Sequence, residues 1–357
     1  VGTTGNQNFQ NNRSIAINGY YVEDRYRGAI GSYLKNMENP KLRWEQKLDY
    51  NVGLDFVLKR LDIRLDLYKS ITKDLVTSMG IAPSTGFINV SENLGKVENK
   101  GFEIIASYTP WQSRNGFIRV NGSIAYNKDK ILRISEAMRQ FNENQAAIAA
   151  KAGQALPVAQ YQDGLSMNTI FAVPSLGIDP AIGLEMYRKQ DGSKTYIYDA
   201  TDLVPCGVKV PLYRGTVGIS GEYKGIGLAI TGRYLGGGQM YNATLVEMVE
   251  NADITQNFDR RVLTERWNHV GHKAFFKRYK SRTPYDLENG IYWYSDLGYV
   301  QSPTQATSRF VQDQKEFDIS SISIYYDFKK EWISKIGMER LRFTVLMNEV
   351  AKISSIK

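Results

Sequence analysis

A strict two-residue alternation of apolar and polar side chains, in long runs that come in pairs, constrains this chain more than any other feature. Across residues 47–57, Leu48, Tyr50, Val52, Leu54 and Phe56 fall on one face, and Lys47, Asp49, Asn51, Gly53 and Asp55 on the other. A strand with one apolar and one polar face has this period and a helix does not. After Leu58-Lys59-Arg60 the pattern resumes, with Leu61, Ile63, Leu65 and Leu67 against Asp62, Arg64 and Asp66, which predicts a hairpin on a very short connection. Similar pairs join 102–109 to 118–127 across a turn at 110–116, 217–223 to 226–234 across Lys224-Gly225, and 321–328 to 341–348 across 329–339. Shorter candidates lie at 14–20, 167–173 and 184–188, and the Ala- and Gln-rich stretch 134–152 predicts a short helix in a connection.

The counts narrow the chemistry. A single cysteine, Cys206, allows no internal disulfide and no thiolate cluster, and two histidines, His269 and His272, exclude a site of three. No run of eighteen apolar residues is present, so no helix is expected to span a membrane. A transmembrane strand needs only about ten residues of alternating character, so the membrane stays open. The net charge of +8 favours an acidic partner or surface without saying which. The opening VGTTGNQNFQNNRS has no basic stretch followed by an apolar core, as a signal peptide would.

Two features favour a membrane barrel over a soluble sandwich. The connections at 58–60, 110–116, 224–225 and 329–339 are short, while those at 71–98, 128–165, 189–212 and 237–313 are long. Tyr50, Tyr108, Tyr126, Tyr223, Tyr234 and Tyr326 stand at strand ends on the apolar side, where a lipid–water boundary would place a ring with a wet hydroxyl. A soluble sandwich with tyrosines at its rims would show the same pattern, and the residues alone leave both open. In lipid every backbone polar group needs a partner, so only a closed sheet suits strands like these. About ten strands with loops this long point to a piece of a larger barrel. The strand at 341–347, with nothing after it to pair with, points the same way, a short tail being the other reading.

Asn39-Pro-Lys-Leu-Arg-Trp-Glu45 followed by Tyr50-Asn-Val-Gly-Leu-Asp-Phe56 resembles the hairpin entry of SusC/RagA-like TonB-dependent transporters. Further stretches resemble that family in its order: Thr72-Lys-Asp-Leu75, Asn93-Leu-Gly-Lys-Val-Glu-Asn-Lys-Gly-Phe-Glu103, Gly177-Ile-Asp-Pro180 with Gly183, Asn251-Ala-Asp253, Arg260-Arg-Val-Leu-Thr-Glu-Arg-Trp267, Ser308-Arg-Phe-Val-Gln-Asp313, and Met347-Asn348 with Ile353-Ser-Ser-Ile-Lys357. The resemblance implies an all-β transmembrane antiparallel barrel, a portion of 22 strands with long extracellular loops. It implies an outer-membrane importer of glycan oligosaccharides or peptides of the Bacteroidetes kind, working with a SusD-like surface lipoprotein. Energy would come from TonB–ExbB–ExbD through a plug domain. By the resemblance residues 1–357 are the C-terminal part of the barrel, with the plug before residue 1 and the last strand after Lys357. Glu316-Phe-Asp-Ile319 departs from the family pattern, because Asp318 stands where a basic residue is usual. A docking or scaffold subunit of a larger outer-membrane assembly is the alternative function.

Candidate chemistry is sparse. No catalytic arrangement is visible, and neither a metal nor a cofactor is expected. His269 and His272 share Trp267-Asn-His-Val-Gly-His272 with Gly271 and no carboxylate motif, and Cys206 sits in the apparent loop Val204-Pro-Cys-Gly207 without an activating base. Gly236-Gly-Gly-Gln-Met240 lacks the lysine of a phosphate loop and suggests a flexible rim. The basic segment 260–282, with Arg266 beside Trp267, suits lipopolysaccharide phosphates, an acidic partner or an anionic ligand; a solvated loop is the plainer reading, and nucleic acid is not expected. Tyr292, Trp293, Tyr294 and Asp296 could stack on and hydrogen-bond to a sugar, or pack their own loop. Asp49, Asp55, Glu103, Arg119 and Glu222 are the candidate lumen-facing positions.

Overall fold

The computed structural model describes residues 21–26, 29–34, 37–81, 83–151, 154–253, 257–278, 285–287, 290–295, 298–300 and 304–356, with backbone alone for 21–34 and 285–300. The candidate strand at 14–20 and Asp296 lie outside the described residues. No described helix is long and apolar enough to cross a membrane.

Eight strands build one antiparallel wall: β1 (Gln46–Leu58), β2 (Leu61–Lys73), β3 (Gly95–Ser113), β4 (Gly116–Ile134), β5 (Tyr213–Tyr223), β6 (Ile226–Tyr241), β7 (Val311–Asp327) and β8 (Arg342–Ser354). Each pairs with its sequence neighbour, so the wall is a meander from β1 to β8. The shortest, β5, has 11 residues, enough for a tilted strand to cross a hydrocarbon core.

Register turns the alternation of each strand into continuous rows. One face carries Leu54, Leu65, Ile104, Ile124, Gly215, Tyr234, Phe317 and Ile353 side by side across all eight strands. The row nearer the short turns reads Leu58, Leu61, Tyr108, Val120, Ile219, Ile230, Ile322 and Met347. Val52, Leu54, Ile219, Ile324 and Phe343 are among the exposed large apolar side chains of this wall. A continuous apolar surface of that size on a sheet is the surface that lipid covers.

The hairpins close tightly. Lys224 and Gly225 both have positive φ, at 50° and 90°, as a two-residue turn that follows strand twist requires. Two expectations need correction. The predicted turn at 110–116 is strand as far as Ser113, with the reversal at Arg114-Asn115, and a bulge between Tyr108 and Trp111 accommodates Pro110. Residues 236–240 are not a loose rim but part of β6, bulged between Leu235 and Gly238.

The long connections fold against one another. The helix α1 (Glu136–Ala149) starts at Ser135, whose Oγ accepts from the Met138 amide at 3.3 Å and donates to the Asn93 carbonyl at 2.6 Å. Its Met138 and Phe141 pack with Val97 and Ile131, which share the non-lipid alternation of β3 and β4. A second core joins Val246, Val249, Phe276 and Phe310 from the β6–β7 connection. Full burial of Phe276 and Phe310 contributes roughly 2–3 kcal/mol each.

Candidate functional site

The face opposite the apolar rows is polar along the same register. One row runs Gly53, Asp66, Glu103, Ala125, Arg214, Leu235, Glu316 and Ser354; the next runs Asp55, Arg64, Ile105, Ser123, Thr216, Arg233, Asp318 and Lys352. Asp49, Arg119 and Glu222 share this face, each opposite a residue of the same alternation: Ser70, Ser220 and Phe117. The five candidate wall positions are therefore on one side. Ser123, Arg214, Thr216, Arg233, Glu316 and Asp318 line a concavity of about 490 Å³. Asp318, unusual for the family pattern, lies 3.8 Å from Arg233, while Lys352 bridges to Glu316 at 2.7 Å. Glu222 accepts from the Tyr325 hydroxyl at 2.6 Å, and the Tyr325 ring covers Gly227, where a Cβ would fall 2.0 Å from the ring.

Above this face the connections meet at a buried charge lock. Arg309 donates to Glu185 at 3.0 and 2.7 Å, to Glu250 at 2.7 and 3.4 Å, and to the Phe275 carbonyl at 2.6 Å. Its side chain is 4% exposed and both carboxylates are 0% exposed. Thr304 donates to Glu250 at 3.0 Å, and the guanidinium lies 4.4 Å from the centre of the Phe310 ring. Glu185 belongs to the β4–β5 connection, while Glu250 and Arg309 belong to the β6–β7 connection, so one side chain joins two excursions of the chain. Burial works against ionising Glu185, but the Arg309 charge and hydrogen bonds outweigh it and hold its pKa below the usual carboxylate range. Burial likewise disfavours the Arg309 cation, and the two glutamates more than restore it.

Arg266 and Trp267 both belong to this body, Arg266 buried and Trp267 partly so. Arg266 is buried, with its guanidinium donating to the carbonyls of Lys277, Val249 and Glu250. Trp267 donates through Nε1 to the Pro180 carbonyl at 2.8 Å and packs on Gly183, whose φ of +72° and lack of Cβ admit the indole. The contact role expected for the pair needs an accessible group; Arg266 is buried, whereas Trp267 is only partly buried. The backbone of Tyr292, Trp293 and Tyr294 lies in the strand Gly290–Ser295, and their side chains lie outside the described residues. Cys206 is in the short strand Val204–Val208 rather than a loop, and burial pushes its thiol pKa up. The rings of His269 and His272 stack with centroids 5.2 Å apart, and no group of three metal-capable side chains occurs among the described residues.

Lys277 is buried in the same body, and burial pulls its pKa down from 10.5 to about 8 against the opposing charges of Glu250 and Glu185. The native state thus gives up this proton at lower pH than the unfolded chain does. Stability should rise with pH between about 8 and 10.5, and the cost of burying the cation is carried in full below about 8. Lys277→Met should flatten that rise and slow proteolysis of the connections near neutral pH, an effect of about 3 kcal/mol. Proteolysis rates of both proteins across the window check this; an unchanged slope in the variant would remove Lys277 as its source.

The lock itself was missed by sequence reasoning. The one available signal was that Ser308-Arg-Phe, Asn251-Ala-Asp253 and Gly177-Ile-Asp-Pro180 resemble a family pattern in stretches without strand period, and here these stretches converge.

Comparison with known proteins agrees with this geometry. Residues 3–168 match the family model described as TonB dependent receptor-like, beta-barrel. TonB-dependent receptor P3 of Formosa agariphila is 22% identical over 364 residues, covering 96% of this chain and 33% of that protein. TonB-dependent receptor SusC of Bacteroides thetaiotaomicron is 25% identical over 213 residues, covering 55% of this chain and 21% of SusC. The chain spans a third or less of the curated relatives it matches. Its fold is similar to the solved RagAB peptide transporter, with a TM-score of 0.72 at 17% identity over 95% of this chain and 35% of that one. Sequence and fold together make the chain similar to SusC/RagA-like TonB-dependent receptors, with the receptor β-barrel family model matching residues 3–168.

Proposed function

We propose that these residues form the C-terminal part of the 22-stranded barrel of an outer-membrane nutrient importer that works with a SusD-like lipoprotein and draws energy from TonB. The observation that carries this reading is the two-faced wall. An apolar surface crosses all eight strands on one side, and charged rows with a concavity lie on the other, under a rigidly locked loop body. A plug would seat against Asp55, Glu103, Arg119 and their neighbours. Cargo would enter between the lipoprotein and the loop body and pass inward when TonB pulls the plug. The work is binding and gating, with differential affinity between states moving the cargo.

RagAB is a peptide transporter, and the resemblance to SusC-like importers suggests a glycan as the other cargo class. Cells expressing the full-length protein should take up labelled peptide or oligosaccharide and stop when TonB is removed. Uptake that persists without TonB would overturn the importer reading. Absence of uptake, with the protein still required for assembly of neighbouring outer-membrane proteins, would favour the docking role.

A further inference from the structure

Above the apolar rows, at the loop end of the same outward face, the wall changes character on three neighbouring strands. Lys69, Lys100 and Lys128 stand side by side in register on β2, β3 and β4. They sit one step beyond Leu67, Phe102 and Tyr126, the last outward row of apolar and aromatic side chains on those strands. Phe102 and Tyr126 stack with centroids 5.5 Å apart. One step further, Glu98 pairs with Lys130 in register. Glu98 draws in Lys69 at 2.8 Å and Lys100 at 3.9 Å, leaving both lysine side chains about half exposed, at 48% and 59%.

The basic surface continues upward. Lys73 shares the outward alternation of Lys69, and with Lys96 and Arg133 it lines a groove of about 500 Å³ between the strand ends and the first turn of α1. The remaining charged lining is Arg43, Arg139, Asp74 and Glu136, so five cations face two carboxylates. Arg43 is paired with Asp74 at 2.9 Å and Arg139 with Glu136 at 3.8 Å.

We infer that this patch is a binding site for the phosphate groups of an outer-leaflet glycolipid. The inference rests on the reading that the apolar rows face lipid and the loop end faces outward. Charge and level argue for this occupant. Lysines isolated at an interface lift their ammonium groups to water singly. Here three cations form a row about 10 Å across, given a strand spacing of about 4.8 Å. That row sits directly above the aromatic pair, at the height where the headgroup of a lipid lying along the apolar face must sit. A point charge on a flexible stem suits phosphate, and a bisphosphorylated sugar headgroup would span the row while its acyl chains lie on Leu65, Ile104 and Ile124.

The test uses full-length protein extracted in detergent, titrated by native mass spectrometry with bisphosphorylated lipid A and with the same lipid dephosphorylated. Each lysine at an anionic lipid surface contributes roughly five-fold, so the triple variant K69Q/K100Q/K128Q should bind the phosphorylated lipid on the order of a hundred-fold more weakly. A control triple at the opposite end, K59Q/R60Q/K224Q, should bind as the wild type does. The dephosphorylated lipid should bind all three proteins equally and weakly. Undiminished binding by K69Q/K100Q/K128Q, or an equal loss for both lipids, overturns the site. Heat-modifiable migration is read on the same samples. If it is present while the lysine variant binds normally, the glycolipid site alone fails; if the wild type lacks it, the lipid-facing reading fails and takes this site with it.

Discussion

Arg309→Met should loosen the loop body by about 3–5 kcal/mol and leave the wall able to assemble, because removing one partner strands two buried carboxylates. The lock has no solvent to fall back on: Arg309 is 4% exposed, and Glu185 and Glu250 are both fully covered. The loss should show as faster proteolysis within the connections 135–212 and 242–310, with heat-modifiable migration of the barrel unchanged. A triple variant that also carries Glu185→Gln and Glu250→Gln should recover part of the resistance, since the stranded carboxylates are gone and Lys277, whose pKa burial already lowers, can shed its proton. If Arg309→Met alone is as resistant as the wild type, the connections are held together by the apolar clusters around Phe276 and Phe310, and the charges are incidental. The contrast matters for function, because a loop body that must meet a lipoprotein partner reproducibly needs its two excursions fixed to each other.

The wall was legible in the sequence because its signal is local. A two-residue period written over roughly seven to eleven positions survives errors about ends, and cross-strand register then follows from the short turns. The errors fell where a local rule met a local exception. Pro110 reads as a turn former, yet a bulge lets β3 carry a residue without an amide hydrogen. Gly236 to Gly238 read as a flexible rim, yet β6 uses them at a bulge and continues to Tyr241. The loop body was not legible, since its organising contacts join residues 124 and 59 positions apart and have no period. Nor does a count of basic residues in 260–282 report burial: Arg266 and Lys277 lie inside, on carbonyls and among carboxylates. What sequence could offer there was resemblance, which marks positions as constrained without saying what they touch.

Two adjacent residues on β3 separate the faces of the wall by experiment. Ile104 sits in the apolar row between Leu65 and Ile124, and Glu103 sits in the polar row between Asp66 and Ala125. Ile104→Lys places a cation where lipid is expected, one row below the aromatic pair, and should cost roughly 1–3 kcal/mol, less than at the bilayer midplane. Loss of heat-modifiable, folded protein from the outer membrane is the expected readout. Glu103→Lys reverses a charge on the opposite face, where water or a plug is expected, and should leave assembly near normal while uptake falls. The two variants differ by one position and introduce the same side chain, so strand propensity and local backbone effects largely cancel between them. Equal assembly defects would mean that both faces are packed against protein, as in a sandwich, and the lipid-facing assignment would not survive. A defect confined to Ile104→Lys leaves only one arrangement of this register, with hydrocarbon on the Ile104 side and the transport path on the other.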